Sequence, residues 1–317
     1  MILCFSLIFS GLTLLMAGAE GLVKYSAHIA KTFKISPLLI GLTIVAYGTS
    51  SPEFFVSAYA SFTGKADLAI SNVLGSNIFN LLFILGLTSL ITPLSVHKQL
   101  IKYDVPIMIF CSLLLWFFAL YNPSITKWQG IFFLMGLVLY TWWLIYMGQK
   151  EVLDSYIKEK ILFSWKVFFL QITAIVLSLG LLGLGANLFI KGSIQLALFF
   201  NLSERVIGLT IVAAGTSLPE IATSLVAAFR KEGDIAVGNV IGSNIYNILA
   251  VLGLSSCLAP DELSISTQAL GFDLPFMVAT TIVCLPLLFS KYTLSRIEGS
   301  FLLIIYGTYI SYLIFYP

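Results

Sequence analysis

The hexapeptide Gly48-Thr49-Ser50-Ser51-Pro52-Glu53 recurs 167 residues later as Gly215-Thr216-Ser217-Leu218-Pro219-Glu220. Each copy lies inside a run that is otherwise apolar enough for the interior of a membrane. A carboxylate there is costly and a proline breaks the helix, so a chain that carries both, twice, has a use for them. The duplication is wider than the hexapeptide. Residues 41–88 align without a gap onto 208–255, and Gly41 to Ala46 matches Gly208 to Ala213 residue for residue. Gly75-Ser76-Asn77-Ile78 and Asn80 match Gly242-Ser243-Asn244-Ile245 and Asn247. The echo reaches Gly18-Ala19 against Gly185-Ala186 and, after a slip of two residues, Asp104 and Pro106 against Asp273 and Pro275.

Only 10% of the residues are charged and 59% are hydrophobic, whereas soluble domains carry about 25% charged residues. The apolar runs are long and continuous, unlike the alternating segments of about ten residues in a β-barrel. The fold class is therefore all-α polytopic membrane protein, with the lipid bilayer as its main partner. A net charge of +2 points to no nucleic acid, and no protein partner is predicted. Cys4, Cys111, Cys257 and Cys284 have neither metal-ligand spacing nor a disulfide framework. The first lysines, Lys24, Lys31 and Lys34, follow the first apolar run, so that run reads as a retained membrane helix and not a cleaved signal peptide.

A hydrocarbon core about 30 Å thick takes roughly 20 helical residues. On that ruler the chain has ten spans, at 2–23, 37–62, 68–91, 103–121, 127–147, 166–190, 204–229, 235–257, 270–290 and 296–316. The repeat divides them into a first five-helix unit, 1–147, and a second, 166–317, joined by a cytoplasmic linker, 148–165. Thirteen Lys and Arg fall in the odd-to-even connections and four on the other side, which places those connections in the cytoplasm and both termini outside. Five is odd, so the second unit enters the membrane from the opposite face. The expected architecture is two inverted-topology five-helix repeats with broken helices at a site between them, as in secondary transporters.

Pro52 lacks an N–H and frees a carbonyl one turn back. Thr49 and Glu53 share a helix face, with Ser50 adjacent. The segment offers a carboxylate, two hydroxyls and freed carbonyls at one depth, all hard oxygen ligands that suit Ca2+ or Na+. A plain Pro kink satisfied by Ser and Thr needs no buried Glu. Ser76 and Asn80, one turn apart on the third span, add a hydroxyl and an amide oxygen. Asn77 points elsewhere and is assigned to bonding between helices. The second copy supplies Thr216, Ser217, Glu220, Ser243 and Asn247. Two ionised glutamates balance one Ca2+ or two Na+, and they resist holding both cargoes at once. That mutual exclusion is what antiport requires, although charge alone does not identify the ion.

The paired Gly-Thr-Ser-x-Pro-Glu and Gly-Ser-Asn-x-x-Asn motifs on a five-plus-five repeat resemble the sodium/calcium exchanger family in its compact prokaryotic form. The resemblance covers essentially the whole chain. It implies an antiporter in a prokaryotic inner membrane that moves Na+ against Ca2+ by alternating access, with no enzymatic step and no cofactor. It also implies the ligand set Thr49, Ser50, Glu53, Ser76, Asn80, Thr216, Ser217, Glu220, Ser243 and Asn247, with the carbonyls of Ala46 and Ala213 serving Na+. Some members resemble this pattern but have Asp where this chain has Asn247, so the cage here has two carboxylates and not three. The glycine- and alanine-rich first and sixth spans (Gly11, Ala17, Gly18, Ala19, Gly21; Gly180, Gly183, Gly185, Ala186) are the helices that the resemblance expects to slide. Ca2+/H+ exchange through the same glutamates and a gated cation channel are the competing readings.

Overall fold

The computed structural model describes residues 2–33, 35–156, 165–199, 213–289 and 292–315. Of the linker, 148–156 continues a helix, whereas 157–164 lies outside the described residues. So do 200–212, which include the start of the expected seventh span. The described helices are α1 (Ile2–Phe33), α2 (Pro37–Thr49), α3 (Ser51–Phe62), α4 (Ala66–Ile91), α5 (Leu100–Tyr121), α6 (Lys127–Tyr156), α7 (Trp165–Phe199), α8 (Ala213–Gly215), α9 (Leu218–Phe229), α10 (Gly233–Leu258), α11 (Ala269–Phe289) and α12 (Arg296–Phe315). Among the described residues, seven helices are long and apolar enough to cross a membrane, and the bent pair α2–α3 makes eight.

Helix ends exceed the apolar windows. α1 runs ten residues past Val23 to Phe33, and α7 reaches Phe199. Hydropathy measures the stretch that tolerates lipid, and a helix continues beyond it as long as no breaker intervenes.

The core is unusual in what it contains. The most apolar stretches of α4 and α10 are 72% and 94% buried, against 22–39% for the other long spans. These two helices form the centre, and they are also the ones carrying Asn and Ser. The outer helices expose Phe9, Phe55, Trp128, Val138 and Phe169, as helices facing lipid would.

Two short antiparallel ladders tie the halves together. Leu94 pairs with Leu294 in one, and Ile125 with Leu263 in the other. Each residue of the first ladder lies 169 positions from a residue of the second, so the two ladders exchange under the sequence repeat. The same holds for two hydrogen-bonded pairs, in which Tyr140 donates to Asp104 at 3.0 Å and Tyr309 donates to Asp273 at 2.9 Å. Asp104 lies one turn inside α5, fully buried. Removing the Tyr140 hydroxyl strands a buried carboxylate. Tyr140→Phe is therefore expected to destabilise the protein by about 1–2 kcal/mol. Tyr309→Phe costs less, since Asp273 is only half-buried. Thermal unfolding of the two variants in detergent gives the order.

Candidate ion-binding site

Pro52 and Pro219 stand at the second position of α3 and α9. The residue before each helix, Ser50 (φ −80°, ψ 8°) and Ser217 (φ −86°, ψ 9°), leaves helical geometry in the same way. In the first half the chain bends by 46° there. Proline at this place needs no N–H partner, so the break costs little. It aims Glu53 and Glu220, in the first turns of α3 and α9, into the centre of the bundle.

Each glutamate is held by the serine of the opposite half. Ser217 Oγ donates to Glu53 Oε1 at 2.9 Å, and Ser50 Oγ donates to Glu220 Oε1 at 2.9 Å. Ser76 Oγ approaches Glu53 Oε1 at 3.5 Å and Ser217 Oγ at 3.3 Å. Both glutamates are 1% exposed, and no ion pair is described for either. A second reciprocal set joins α4 and α10. Asn77 Nδ2 donates to the carbonyl of Asn244 and Asn244 Nδ2 to that of Asn77, both at 3.3 Å. Asn80 Nδ2 reaches Asn244 Oδ1 at 3.1 Å, and Asn247 Nδ2 reaches Asn77 Oδ1 at 3.0 Å. Asn77 thus makes the interhelical bond expected of it.

What these bonds leave over is chemically uniform. Glu53 Oε2, Glu220 Oε2, Asn80 Oδ1, Asn247 Oδ1 and Ser243 Oγ are buried without a hydrogen-bond partner. All five are oxygens, and the first four are acceptors only. A buried acceptor without a donor costs about 1–3 kcal/mol, more when charged. Five together, at the meeting of two duplicated motifs, are oxygens of the kind that hard cations take as ligands. Among the described residues no group of three or more His, Cys, Asp and Glu gathers for a metal; the set is two carboxylates among neutral oxygens.

The remaining expected residues differ in position. Thr49 Oγ1 donates to Asn239 Oδ1 at 3.0 Å, and Thr216 Oγ1 to Asn72 Oδ1 at 3.5 Å. The carbonyl of Ala46 already accepts from Ser50 N–H at 3.0 Å, and the Thr49 oxygen lies 3.3 Å from it. Ala213 begins α8, at the edge of the described residues. Asn72 and Asn239 are the residues that the motif reading passed over, and the repeat contained the signal: Asn-Val-x-Gly-Ser-Asn-Ile-x-Asn runs from 72 to 80 and again from 239 to 247. Glu20, near the end of the apolar part of α1, forms an ion pair with Arg230 after α9 and takes no part in the site.

The described α1 and α7 pack along their lengths. Gly11 and Gly185 lie where the two backbones meet, whereas Gly180 and Gly183 face open space. Only part of the small-residue set therefore belongs to the contact.

The family model described as sodium/calcium exchanger protein matches residues 3–146 and 170–315. The putative antiporter CaxA of Alkalimonas amylolytica is 40% identical over 96% of each chain. The sodium/calcium exchanger MaX1 of Methanosarcina acetivorans is 32% identical over 96% of this chain and 97% of its own. Among solved structures, the sodium-calcium exchanger NCX_Mj superposes with a TM-score of 0.85 at 31% identity, covering 98% of this chain and 99% of that one. With a duplicated acidic motif, a buried oxygen-lined centre and matches that run from end to end, the chain belongs to the sodium/calcium exchanger family.

Proposed function

We propose that the protein is a secondary antiporter that exchanges Na+ for Ca2+ across the membrane by alternating access. The observation that carries this reading is the pair of buried glutamates, each with one oxygen fixed by the opposite half and one oxygen unpaired. A site of charge −2 balances Ca2+ or two Na+. Holding both cargoes leaves uncompensated positive charge in a medium of low dielectric, so each displaces the other. The ligands are Thr49, Ser50, Glu53, Ser76 and Asn80 with Thr216, Ser217, Glu220, Ser243 and Asn247. The carbonyls of Ala46 and Ala213 join them once their helix segments move, because the Ala46 carbonyl must first give up a hydrogen bond.

The architecture of this reading is ten spans in two inverted five-helix units, 1–147 and 166–317. The reciprocal bonds between equivalent residues and the exchanged ladders support it. The bias of Lys and Arg supports a cytoplasmic 148–165 segment and both termini outside the cytoplasm. The protein does no covalent chemistry and works as an integral component of a prokaryotic inner membrane.

Purified protein in liposomes tests the exchange directly. Uptake of radiolabelled Ca2+ is expected when Na+ is loaded inside and absent outside, and it collapses when the Na+ gradient is removed. Uptake driven equally well by a pH gradient alone would replace Na+ by H+ in this reading. Passive, non-saturating conductance would make the protein a channel.

A further inference from the structure

Four of the ligands proposed above carry hydrogens as well as lone pairs: Thr49, Thr216, Asn80 and Asn247. A hydrogen turned toward a cation repels it, so each must be sent elsewhere. In every case an asparagine that is not itself a ligand accepts one. Thr49 Oγ1 donates to Asn239 Oδ1 at 3.0 Å, and Thr216 Oγ1 to Asn72 Oδ1 at 3.5 Å. Asn80 Nδ2 donates to Asn244 Oδ1 at 3.1 Å, and Asn247 Nδ2 to Asn77 Oδ1 at 3.0 Å.

The other end of each outer amide is pinned. Asn239 Nδ2 donates to the Glu220 carbonyl at 3.5 Å and to Ser224 Oγ at 3.0 Å. Asn72 Nδ2 donates to the Glu53 carbonyl at 3.4 Å and to Ser57 Oγ at 2.9 Å. Asn77 and Asn244 donate to each other's backbone carbonyl, both at 3.3 Å. A backbone carbonyl can only accept, so it demands the nitrogen of the amide and leaves the oxygen facing the ligand. Four times over, a carbonyl fixes an amide and the amide oxygen draws a hydrogen from a ligand. The oxygens left without partners, among them Asn80 Oδ1 and Asn247 Oδ1, are the other side of the same arrangement.

The threonine hydroxyls make the strictest case, because each has a single hydrogen. The Thr49 oxygen also lies 3.3 Å from the Ala46 carbonyl, and Thr49 neighbours the Glu220 carboxyl. A hydrogen given to either would occupy an oxygen that a cation needs. Bonded to Asn239, it leaves the Ala46 carbonyl, the Glu220 carboxylate and the lone pairs of Thr49 itself to the ion. The hydrogens of Ser50 and Ser217 go instead to Glu220 Oε1 and Glu53 Oε1, where they fix the carboxylates and leave one oxygen of each free.

We infer that Asn72, Asn77, Asn239 and Asn244 form an outer ring that sets the polarity of the ion cage, turning Thr49, Thr216, Asn80 and Asn247 into acceptors only. They are positioning residues, and they act through those four ligands. The inference rests on the ligand set proposed above.

Asn239 and Thr49 test it as a double-mutant cycle. Purified protein in detergent is titrated with Na+, with choline making up the ionic strength, and the Na+ concentration that gives a set rise in Tm is read. The ion-free Tm reports folding and the Na+ response reports the site. Asn239→Ala is expected to raise that concentration about three- to ten-fold, the scale of one hydrogen bond. Thr49→Val raises it as well. Adding Asn239→Ala to Thr49→Val moves it by less than about two-fold further, because no hydroxyl hydrogen remains to be directed. An Asn239 that merely holds α9 to α10 would shift the response equally in both backgrounds. Equal shifts in the two backgrounds, or no shift from Asn239→Ala in the parent, overturn the ring. If Asn239→Ala does not give monodisperse protein, Asn72→Ala with Thr216→Val repeats the cycle in the other half. Ca2+ replaces Na+ as the titrant where Na+ gives no response, and a parent that answers neither ion overturns the ring and the ligand set together. Na+-driven Ca2+ flux through the unsubstituted protein decides the exchange reading separately: the expected coupling without such flux keeps the ring and removes the exchange.

Discussion

Glu53→Gln and Glu220→Gln are each expected to abolish Na+-driven Ca2+ uptake in liposomes while the protein still folds. The carboxylates are buried, with no compensating ion pair described and one oxygen each left without a donor. Replacing one of them halves the charge available to a divalent ion held at about 2.4 Å. Even at an effective dielectric of about 20, that loss is on the order of 5 kcal/mol or more, a thousandfold or more in affinity. Folding follows a different balance. The Gln carbonyl can still accept from Ser217 or Ser50, and a buried charge is removed, so the ion-free protein loses little stability or gains some. The two effects separate in one thermal-unfolding series. The unsubstituted protein is expected to rise in Tm as Ca2+ is added, because the ion binds only the folded state. The Gln variants start at a similar or higher Tm and do not respond. Wild-type flux in both variants would remove Glu53 and Glu220 from the site.

How much of this was legible in the sequence depends on whether a residue's role is local or arises between the halves. The breaks at Pro52 and Pro219, and the turning of Glu53 and Glu220 toward the core, are local consequences of missing N–H groups, and the motif alone gives them. The asparagine cage is less local. Asn77 could be excluded from the face of Ser76 and Asn80, but its partner, the carbonyl of Asn244, follows only from the way α4 crosses α10. Asn72 and Asn239 are not legible from the hexapeptide, because their bonds to Thr216 and Thr49 arise between the halves. These two also reach backward, to the carbonyls of Glu53 and Glu220. The place of Asp104 near a helix start suggests, from sequence alone, a capping acid. That reading lacked Tyr140, 36 residues away on α6, whose hydroxyl makes a buried carboxylate tolerable.

The α1–α7 contact gives the second large effect, and its glycines are not interchangeable. A Cβ on Gly11 would lie 2.6 Å from the backbone nitrogen of Phe189 and 2.8 Å from the carbonyl of Gly185. One on Gly185 would lie 2.7 Å from the nitrogen of Leu15. These neighbours are backbone, which cannot swing aside, so a side chain at either place drives the helix axes apart. Small residues are what lets two helices in lipid approach this closely, because no hydrophobic effect holds them together there. Gly11→Leu or Gly185→Leu is expected to cost about 3 kcal/mol or more, at the upper end of overpacking, and to abolish exchange with it if the two helices slide as a pair. Gly180→Ala and Gly183→Ala serve as the contrast. Among the described residues outside its own helix backbone, nothing lies within 4 Å of a Cβ at either place, and exchanging Gly for Ala in a helix interior gains up to about 1 kcal/mol. Both are expected to keep their flux and to unfold at the parental temperature or above. Equal loss of stability at all four positions would mean that the glycines serve the flexibility of α1 and α7 and not their contact. Loss of flux with unchanged Tm in Gly183→Ala alone would place the moving surface on the opposite face of α7.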